Sequence, residues 1–194
     1  MGVSYVVLCP ETQSLQNAED DIKRKLEVLG AIKQNPFNID CETYLSSASA
    51  PNLHLFHCSE YPLSSFAILD SFEKLTCEAT FDVLLGKMGA FYLPRKNYKV
   101  DVTGHKYRFN DFCVKISTVF FAGSSKGLVI EVEYLPCNVE NECWALIQEF
   151  VAPLVGIPVS KYPSKPSNEL YSPQDTMAQY LVIFNNLRKA STVK

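Results

Sequence analysis

The sequence contains one short pattern that is typical of serine hydrolases, a G-x-S-x-G motif formed by Gly123, Ser125 and Gly127. In those enzymes the serine lies at a sharp turn between a strand and a helix, where its hydroxyl is exposed for nucleophilic attack. Here the motif is followed by LVIEVE, a run of β-branched and apolar residues that predicts a strand. The motif therefore predicts the turn of a β-hairpin and not a nucleophile.

Two carboxylates, Glu131 and Glu133, lie two positions apart in the same predicted strand. Residues at this spacing point to one face of a strand, and inside a barrel such a pair can hold a divalent cation for phosphate hydrolysis. Asp40 and Glu42 could supply a second pair of the same kind. A barrel-type metal-dependent phosphohydrolase is therefore an alternative function for this chain.

Two features of the hairpin weigh against that alternative. A polyphosphate needs several inward basic side chains, and the hairpin offers only Lys115 and Lys126. The other face of the second strand carries the apolar residues Leu128, Ile130, Val132 and Tyr134. That apolar face is the predicted core face, so we expect Glu131 and Glu133 to be outward and solvated.

A third candidate site is the run LHLFHCSEY, which contains His54, His57 and Cys58. If the run is a strand, the two histidines face opposite sides, and His54 and Cys58 share a side at a separation of about 13 Å. One metal ion cannot bridge that distance, and a Cys–His catalytic pair lacks an identifiable third partner. We expect half-buried strand residues here.

The composition excludes several classes of protein. The chain has 194 residues, of which 47% are hydrophobic and 20% charged, as in ordinary globular domains. Its net charge of −3 gives no basic surface for nucleic acid. The seven cysteines form no CxxC pair, which predicts buried thiols in a reducing compartment. We expect neither a signal peptide nor a membrane span, because no apolar run is long enough.

The first half of the chain predicts a strand, a helix and three further strands. The first strand, Val3–Leu8, is ended by Pro10, and residues 12–29 have helical spacing with Thr12 at their start. Gly30 is the predicted left-handed terminator of that helix. Three short runs follow, separated by prolines 36, 51 and 62: FNIDCETYL, LHLFHCSEY and SSFAILD. Proline is confined to turns and strand edges, so these runs predict a meander.

The second half predicts a brief helix over 81–88 with Thr80 as its N-cap, strands over 98–102 and 106–109, and a long hairpin with its turn at residues 123–127. Residues 143–155 resume helical spacing until Pro153 disturbs the end. Residues 156–171 contain three prolines and little periodicity, which predicts an extended surface connection.

The last predicted helix, residues 173–189, has a well-marked start. Ser172 is the expected N-cap, Pro173 occupies the first helical position and Asp175 the third. The apolar stripe of this helix consists of Met177, Tyr180, Leu181, Phe184 and Leu187. Because an isolated helix of this length is marginal in water, the stripe must be buried. We expect it to dock on the chain's own sheet, with one edge left for a partner.

Short turns rather than helical crossovers join the predicted strands, which argues against a parallel sheet. We predict an α+β fold in which a strongly curled, barrel-like antiparallel sheet is flanked by helices near both termini. We expect residues 1–194 to form a single domain.

Nearly every segment described above resembles one family, the Mediator head-module subunit 20, also called TRF-proximal protein. The matching stretches occur in the family's order: RKLEVLG, FNIDCETY, SEYPLSSFAIL, FDVLLGK, DFCVKISTV, GLVIEVEYLPC, CWALIQEF and YSPQDTMAQYLVIFNNLRK. They cover most of the chain, from Arg24 to Lys189, and DCETY, SEYPLS and the closing helix are the most specific.

This resemblance implies a β-barrel-like fold shared with Mediator subunit 18, and direct pairing of the two subunits. It also implies that a helix of subunit 8 tethers the pair to the rest of the head module. The expected role is that of a nuclear, non-enzymatic coactivator subunit that relays regulatory signals to RNA polymerase II. The family brings no catalytic residues and no cofactor, and we expect no direct contact with nucleic acid or membrane.

Overall fold

A computed structural model of the protein describes residues 2–9, 14–47, 50–156, 159 and 169–192, with the backbone alone at 191 and 192. The strands are β1 Val3–Leu8, β2 Ile32–Ser46, β3 Leu53–Cys58, β4 Ser64–Leu69, β5 Lys74–Glu78, β6 Tyr92–Pro94, β7 Val100–Phe109, β8 Phe112–Phe121 and β9 Ser124–Tyr134. The helices are α1 Leu15–Val28, α2 Phe81–Lys87, α3 Glu140–Val155 and α4 Pro173–Thr192, with a 3-10 turn at Lys96–Tyr98.

All nine strands belong to one antiparallel sheet, in the order β1-β9-β8-β7-β2-β3-β4-β5, and β6 pairs with the far end of β2. The sheet curls into a half-barrel, so the predicted α+β fold class, with helices near both termini, is confirmed. β1 and β5 are the two ends of this order, and each has one side without a neighbouring strand among the described residues. What happens at these two edges decides how the half-barrel is closed.

Three apolar clusters fill the space between the sheet and the helices. α4 packs on the inner face, against Phe56, Phe66, Val102 and Val129. α1 and α3 cover the outer face of β1, β9 and β8, where Ile130 is buried. α2 covers the outer face of β2, β3 and β4 through Leu85. Strand β9 is therefore buried on both faces, which is unusual for an antiparallel strand.

The β8–β9 hairpin turns at two residues, Ala122 and Gly123, with φ angles of 48° and 80°. Positive φ at both central positions is what a type I′ turn requires, and its twist matches that of the strands. The predicted hairpin is confirmed, but its turn is shorter than residues 123–127, because Ser124 to Gly127 already belong to β9. A register shift between Val119 and Phe120 accommodates one extra residue of β9.

Several boundaries differ from the sequence-based expectation. Pro36 does not end a strand but lies within β2, where the pairing with β7 shifts register between Lys33 and Pro36. Thr80 precedes α2 without a side-chain capping hydrogen bond, and Pro153 lies inside α3. β7 is one continuous strand, Val100–Phe109, because its central residues pair with both β2 and β8. The short strands β5 and β6 were not predicted.

The first helix begins at the N-cap Ser14 and is followed by Gly30 at φ 83°, the predicted left-handed terminator. Pro10 and Thr12, which the sequence placed at the end of β1 and the start of this helix, lie outside the described residues. Most of the predicted surface connection over residues 156–171 also lies outside them.

Candidate functional site: the C-terminal helix inside the curled sheet

Helix α4 lies on the inner face of the sheet, and its apolar stripe is part of the largest cluster there. All five residues of the predicted stripe are buried in that cluster: Met177, Tyr180, Leu181, Phe184 and Leu187. The ring of Phe184 stacks on that of Phe56 in β3, with centroids 6.0 Å apart and an interplanar angle of 18°. The docking surface of the helix is thus the chain's own sheet.

The helix is buried on nearly all sides, which differs from the expectation that one edge would face a partner. Ala178, Gln179 and Ile183 are buried in addition to the stripe. In the part of the helix whose side chains are described, only Asn186, Lys189 and Ala190, all in its C-terminal turns, are exposed. A partner that contacts α4 directly must therefore do so at its C-terminal end.

The first turn of α4 is joined to edge strand β5. The backbone N–H and the hydroxyl of Ser172 both donate to the Asp175 carboxylate, at 2.8 and 2.7 Å, and the bond from the backbone N–H is the one that the third residue of a capping box makes. The same carboxylate accepts from the Lys74 ammonium of β5 at 2.5 Å. Gln174 donates to the hydroxyl of Thr76, also in β5. One edge of the half-barrel is thereby attached to the start of the helix.

The middle of α4 is joined to the opposite edge strand, β1. The Gln179 side chain accepts a hydrogen bond from the backbone N–H of Val6 at 2.8 Å and donates to the carbonyl of Ser4 at 2.9 Å. These are two backbone groups that a neighbouring strand would otherwise pair. The Tyr171 hydroxyl also donates to the Ser4 carbonyl, at 3.0 Å. The helix therefore takes the place of a strand between the two edges, which satisfies an edge that would otherwise be open to aggregation.

A network of charged and polar side chains lies beneath this helix. The Tyr180 hydroxyl donates to Glu131 at 3.0 Å, and the Lys115 ammonium donates to the same carboxylate at 2.9 Å. The hydroxyl of Ser4 donates to it as well, at 3.1 Å. Lys115 also donates to Glu60 at 2.5 Å, and Glu60 accepts from Lys106 at 3.0 Å nearer the surface.

The prediction that Glu131 and Glu133 are outward and solvated is wrong. Glu131 is only 1% exposed and lies under α4, while Glu133 is also buried and accepts from the backbone N–H of Gly2 at 2.8 Å. The physical reason is that β9 has a helix on each face, so neither set of alternating side chains reaches solvent. Glu131 is already hydrogen-bonded by three donors, and Tyr180 covers it.

This arrangement also removes the geometry that a phosphohydrolase needs. Helix α4 fills the inner face of the curled sheet where a wet, basic tunnel would have to lie. Asp40 and Glu42 lie on β2, separated from β9 by β7 and β8 in the sheet order. Throughout the described ranges, no group of three or more His, Cys, Asp or Glu side chains is placed to hold a metal ion.

The opposite charges in this network of side chains stabilise each other. Burial alone would lower the pKa of Lys115, but the carboxylates of Glu131 and Glu60 raise it well above its ordinary value. Burial would raise the pKa of Glu60, yet Lys115 and Lys106 hold it below the usual range. Burial and the neighbouring Glu131 carboxylate raise the pKa of Tyr180, so its hydroxyl remains a donor. The network links the helix to the strands beneath it and is not a proton-transfer site.

His54, Asp70 and Thr43 form a second polar network, which we call the His54 cluster. His54 Nε2 lies 2.8 Å from Asp70, and Nδ1 lies 3.1 Å from the Thr43 hydroxyl, an order that resembles a catalytic triad. Thr43 and His54 are both only 4% exposed, however, so no substrate reaches the hydroxyl. Arg188 of α4 lies 3.5 Å from the same hydroxyl and donates to the carbonyl of Tyr98 at 2.7 Å. The cluster thus anchors the C-terminal part of α4.

The remaining sequence candidates are not brought together. His57 pairs with Asp40 across β3 and β2, on the opposite face from His54. Cys58 is buried under α4, and burial raises the pKa of its thiol to about 11, which makes it a poor nucleophile. Ser125 lies in β9 next to the hairpin turn and is exposed, with no helix following it. The prediction of a hairpin turn rather than a nucleophile elbow is confirmed.

Two exposed apolar surfaces were not predicted from the sequence. The first, which we call the α2 face, lies around α2 and β5 and consists of Leu75, Val83, Leu84 and Phe91, each about half exposed or more. The second is a groove between α1 and α3. Contiguous exposed apolar surface is typical of interaction sites. One signal for these surfaces was available in the sequence: their elements contain more apolar residues than a single inward face can bury.

Comparison with known proteins identifies one family over nearly the whole chain. The family model described as "TATA-binding related factor (TRF) of subunit 20 of Mediator complex" matches residues 1–185. The human protein "Mediator of RNA polymerase II transcription subunit 20" is 39% identical over 206 residues, which cover 100% of this chain and 97% of the human one. The chain belongs to the Mediator subunit 20 family. It is accordingly a nuclear, non-enzymatic subunit type that serves transcription by RNA polymerase II.

Two matches among solved structures are similar to this chain at low sequence identity. The PH1012 protein from Pyrococcus Horikoshii OT3 matches with a TM-score of 0.50 at 20% identity, covering 89% of this chain and 100% of its own. A chain of the Schizosaccharomyces pombe Mediator head module matches with a TM-score of 0.41 at 11% identity, covering 98% of this chain and 92% of its own.

Within the described part of this Mediator subunit 20 family member, no helix is long and apolar enough to cross a membrane.

The buried position of Glu131 predicts an unequal response to two matched substitutions. Glu131→Gln leaves the buried Lys115 ammonium without one of its two carboxylates, so we expect the free energy of unfolding to fall by about 3 kcal/mol. Glu133→Gln keeps an acceptor for the Gly2 N–H, so we expect a loss below about 1 kcal/mol. Urea unfolding of both variants measures the difference. Equal, small losses would show that Glu131 is not tied into the core.

The His54 cluster predicts a pH dependence with a definite sign. Burial lowers the pKa of His54 below its ordinary value of 6.5, so the unfolded chain binds the proton more readily than the folded one. This contribution to stability is fully present above that value and is lost as pH falls below it. We expect His54→Gln to flatten the decline in melting temperature between pH 7.5 and 5.5 relative to the wild type. An unchanged slope in His54→Gln contradicts the assignment.

Proposed function

We propose that the protein is a head-module subunit of Mediator that pairs directly with subunit 18 and relays regulatory signals to RNA polymerase II as part of this coactivator assembly. The observation that carries the proposal is the full-length similarity to Mediator subunit 20 proteins. We further propose that a helix of subunit 8 tethers the pair to the rest of the head module, as the family resemblance implies. The function of the chain is then carried by its surfaces.

We infer that α4 supports this role from within. Its stripe of Met177, Tyr180, Leu181, Phe184 and Leu187 holds the curled sheet in shape, and the partner contacts other elements. The nine strands share one sheet, and α4 joins its two edges. These features support the expectation that residues 1–194 act as a single domain. The segment over residues 156–171 then serves as the connection that brings α4 back across the sheet.

The α2 face is the proposed surface for subunit 18. Leu75 pairs with Ala67, beside the cluster that α2 covers through Leu85, so the exposed residues of β5 and α2 lie on one side of the sheet. Val83 is 56% exposed and Phe91 60%, which is costly unless a partner covers them. A specific stable interface buries about 800 Å² per partner. A net charge of −3 gives no support for a nucleic-acid partner.

Co-expression with subunit 18 of the same organism tests the proposal. We expect one co-eluting species in size-exclusion chromatography at micromolar concentration, because the pairing is a stable one. The double substitution Leu84→Ser with Phe91→Ser should weaken the pair at least tenfold, as loss of central apolar anchors does. Leu146→Ser, at an exposed leucine remote from the α2 face, is the matched control and should leave the pair intact. Two separate peaks for the wild-type chains would refute the pairing.

A further inference from the structure

The groove between α1 and α3 is a large apolar depression on the outer side of the sheet. It has a volume of about 700 Å³ and lies between the C-terminal halves of the two helices and the β7–β8 turn. Its floor consists of three half-buried phenylalanine rings in a row. Phe112 stacks on Phe150 with centroids 4.3 Å apart, and Phe109 stacks on Phe150 at 6.0 Å.

The walls of the groove are apolar and open to solvent. Val28 of α1 is 84% exposed, and Leu146 of α3 is 46% exposed. A small apolar molecule in so open a groove would keep one side in water, whereas a longer amphipathic ligand covers the walls and turns its polar side outward. The openness therefore favours a protein segment.

The two rims of the groove carry opposite charges. α1 contributes Arg24 and Lys25, and α3 contributes Glu149. Lys25 is engaged by Asp21 at 3.2 Å and donates to the Leu154 carbonyl at 3.1 Å. Neither Arg24 nor Glu149 makes an ion pair with another described residue. One rim thus offers a free cation and the other a free carboxylate.

The strands under the groove cannot accept a further strand. β8 lies between β7 and β9 in the sheet, and β7 lies between β8 and β2, so their backbone groups are already paired. An extended ligand would leave its own backbone N–H and C=O groups without partners against an apolar floor. A helix satisfies those groups internally and presents apolar residues at i, i+3, i+4 and i+7.

We propose that this groove binds an amphipathic helix of another protein, whose apolar stripe lies on the three phenylalanines and whose flanks carry a carboxylate toward Arg24 and a cation toward Glu149. The site is separate from the α2 face and from the contacts of α4. It gives the subunit a second docking surface, independent of the proposed pairing with subunit 18.

Two designed peptides of about 20 residues, long enough to form a helix, test the proposal with the full chain. Both carry the same leucine stripe; one bears glutamate on one flank and lysine on the other, and the second bears glutamine on both flanks. We expect fluorescence anisotropy to show preferential binding of the charged peptide by at least about fivefold at low salt, with the preference lost at high salt because exposed charges are screened. Arg24→Gln with Glu149→Gln should abolish the preference.

Variants of the walls locate the binding site. Val28→Asp and Leu146→Asp should each weaken peptide binding at least tenfold, whereas the control Leu63→Asp, at an exposed leucine in the β3–β4 connection, should have no effect. The high exposure of Val28 makes loss of folding an inadequate explanation for its effect.

Three results would overturn the proposal. The first is no binding of either peptide to the wild-type chain. The second is binding that the wall substitutions leave unchanged. The third is a homodimer that Leu146→Asp converts to monomer, which would make a second copy the occupant. Pairing with subunit 18 should persist in the wall variants, so failure of this proposal and failure of the pairing are distinguishable.

Discussion

The carboxylate of Glu131 connects four elements of the fold: β9, which carries it, and β8, β1 and α4, which supply Lys115, Ser4 and Tyr180 as donors. An ionised side chain at this depth is stable only when charge and hydrogen bonds compensate for the lost water. Because one donor comes from the helix, the sheet can keep this charge in its interior only while α4 is in place. The helix and the curled sheet therefore depend on each other.

The closure of the half-barrel follows from the same helix. Its first turn is bound to β5 through Asp175, and its middle is bound to β1 through Gln179. The two edge strands, β1 and β5, do not pair with each other. Helix α4 bridges the gap between them in place of a further strand. Since most of α4 is buried in this structural role, the surfaces that we propose for partners lie on the outer side, at α2 and between α1 and α3. This arrangement suits a subunit whose output is binding.

Much of the architecture could be predicted from the sequence, because periodicity and turn residues are local signals. The helix start at Ser172 and the stripe that includes Phe184 were readable from spacing alone. The environment of Glu131 was not, because it depends on a helix about fifty positions away along the chain. A two-residue turn at Ala122 and Gly123 would by itself set Lys115 opposite Ile130, and only the register shift between Val119 and Phe120 brings Lys115 opposite Glu131. Placing the turn at residues 123–127 concealed that pairing. The exposed α2 face left one signal, the surplus of apolar residues in its short elements, and spacing alone does not show which of those residues are exposed.

Native-state hydrogen exchange of the full chain tests most directly whether α4 is an integral part of the sheet. If it is, the amides of α4 from Met177 to Leu187 will exchange only through the same global opening that exposes β8 and β9, with equal opening free energies and equal dependence on denaturant. Exchange of the α4 amides through a separate local opening, at a much smaller free energy than the strand amides, would contradict the account, because the sheet would then hold Glu131 and its own edges without the helix.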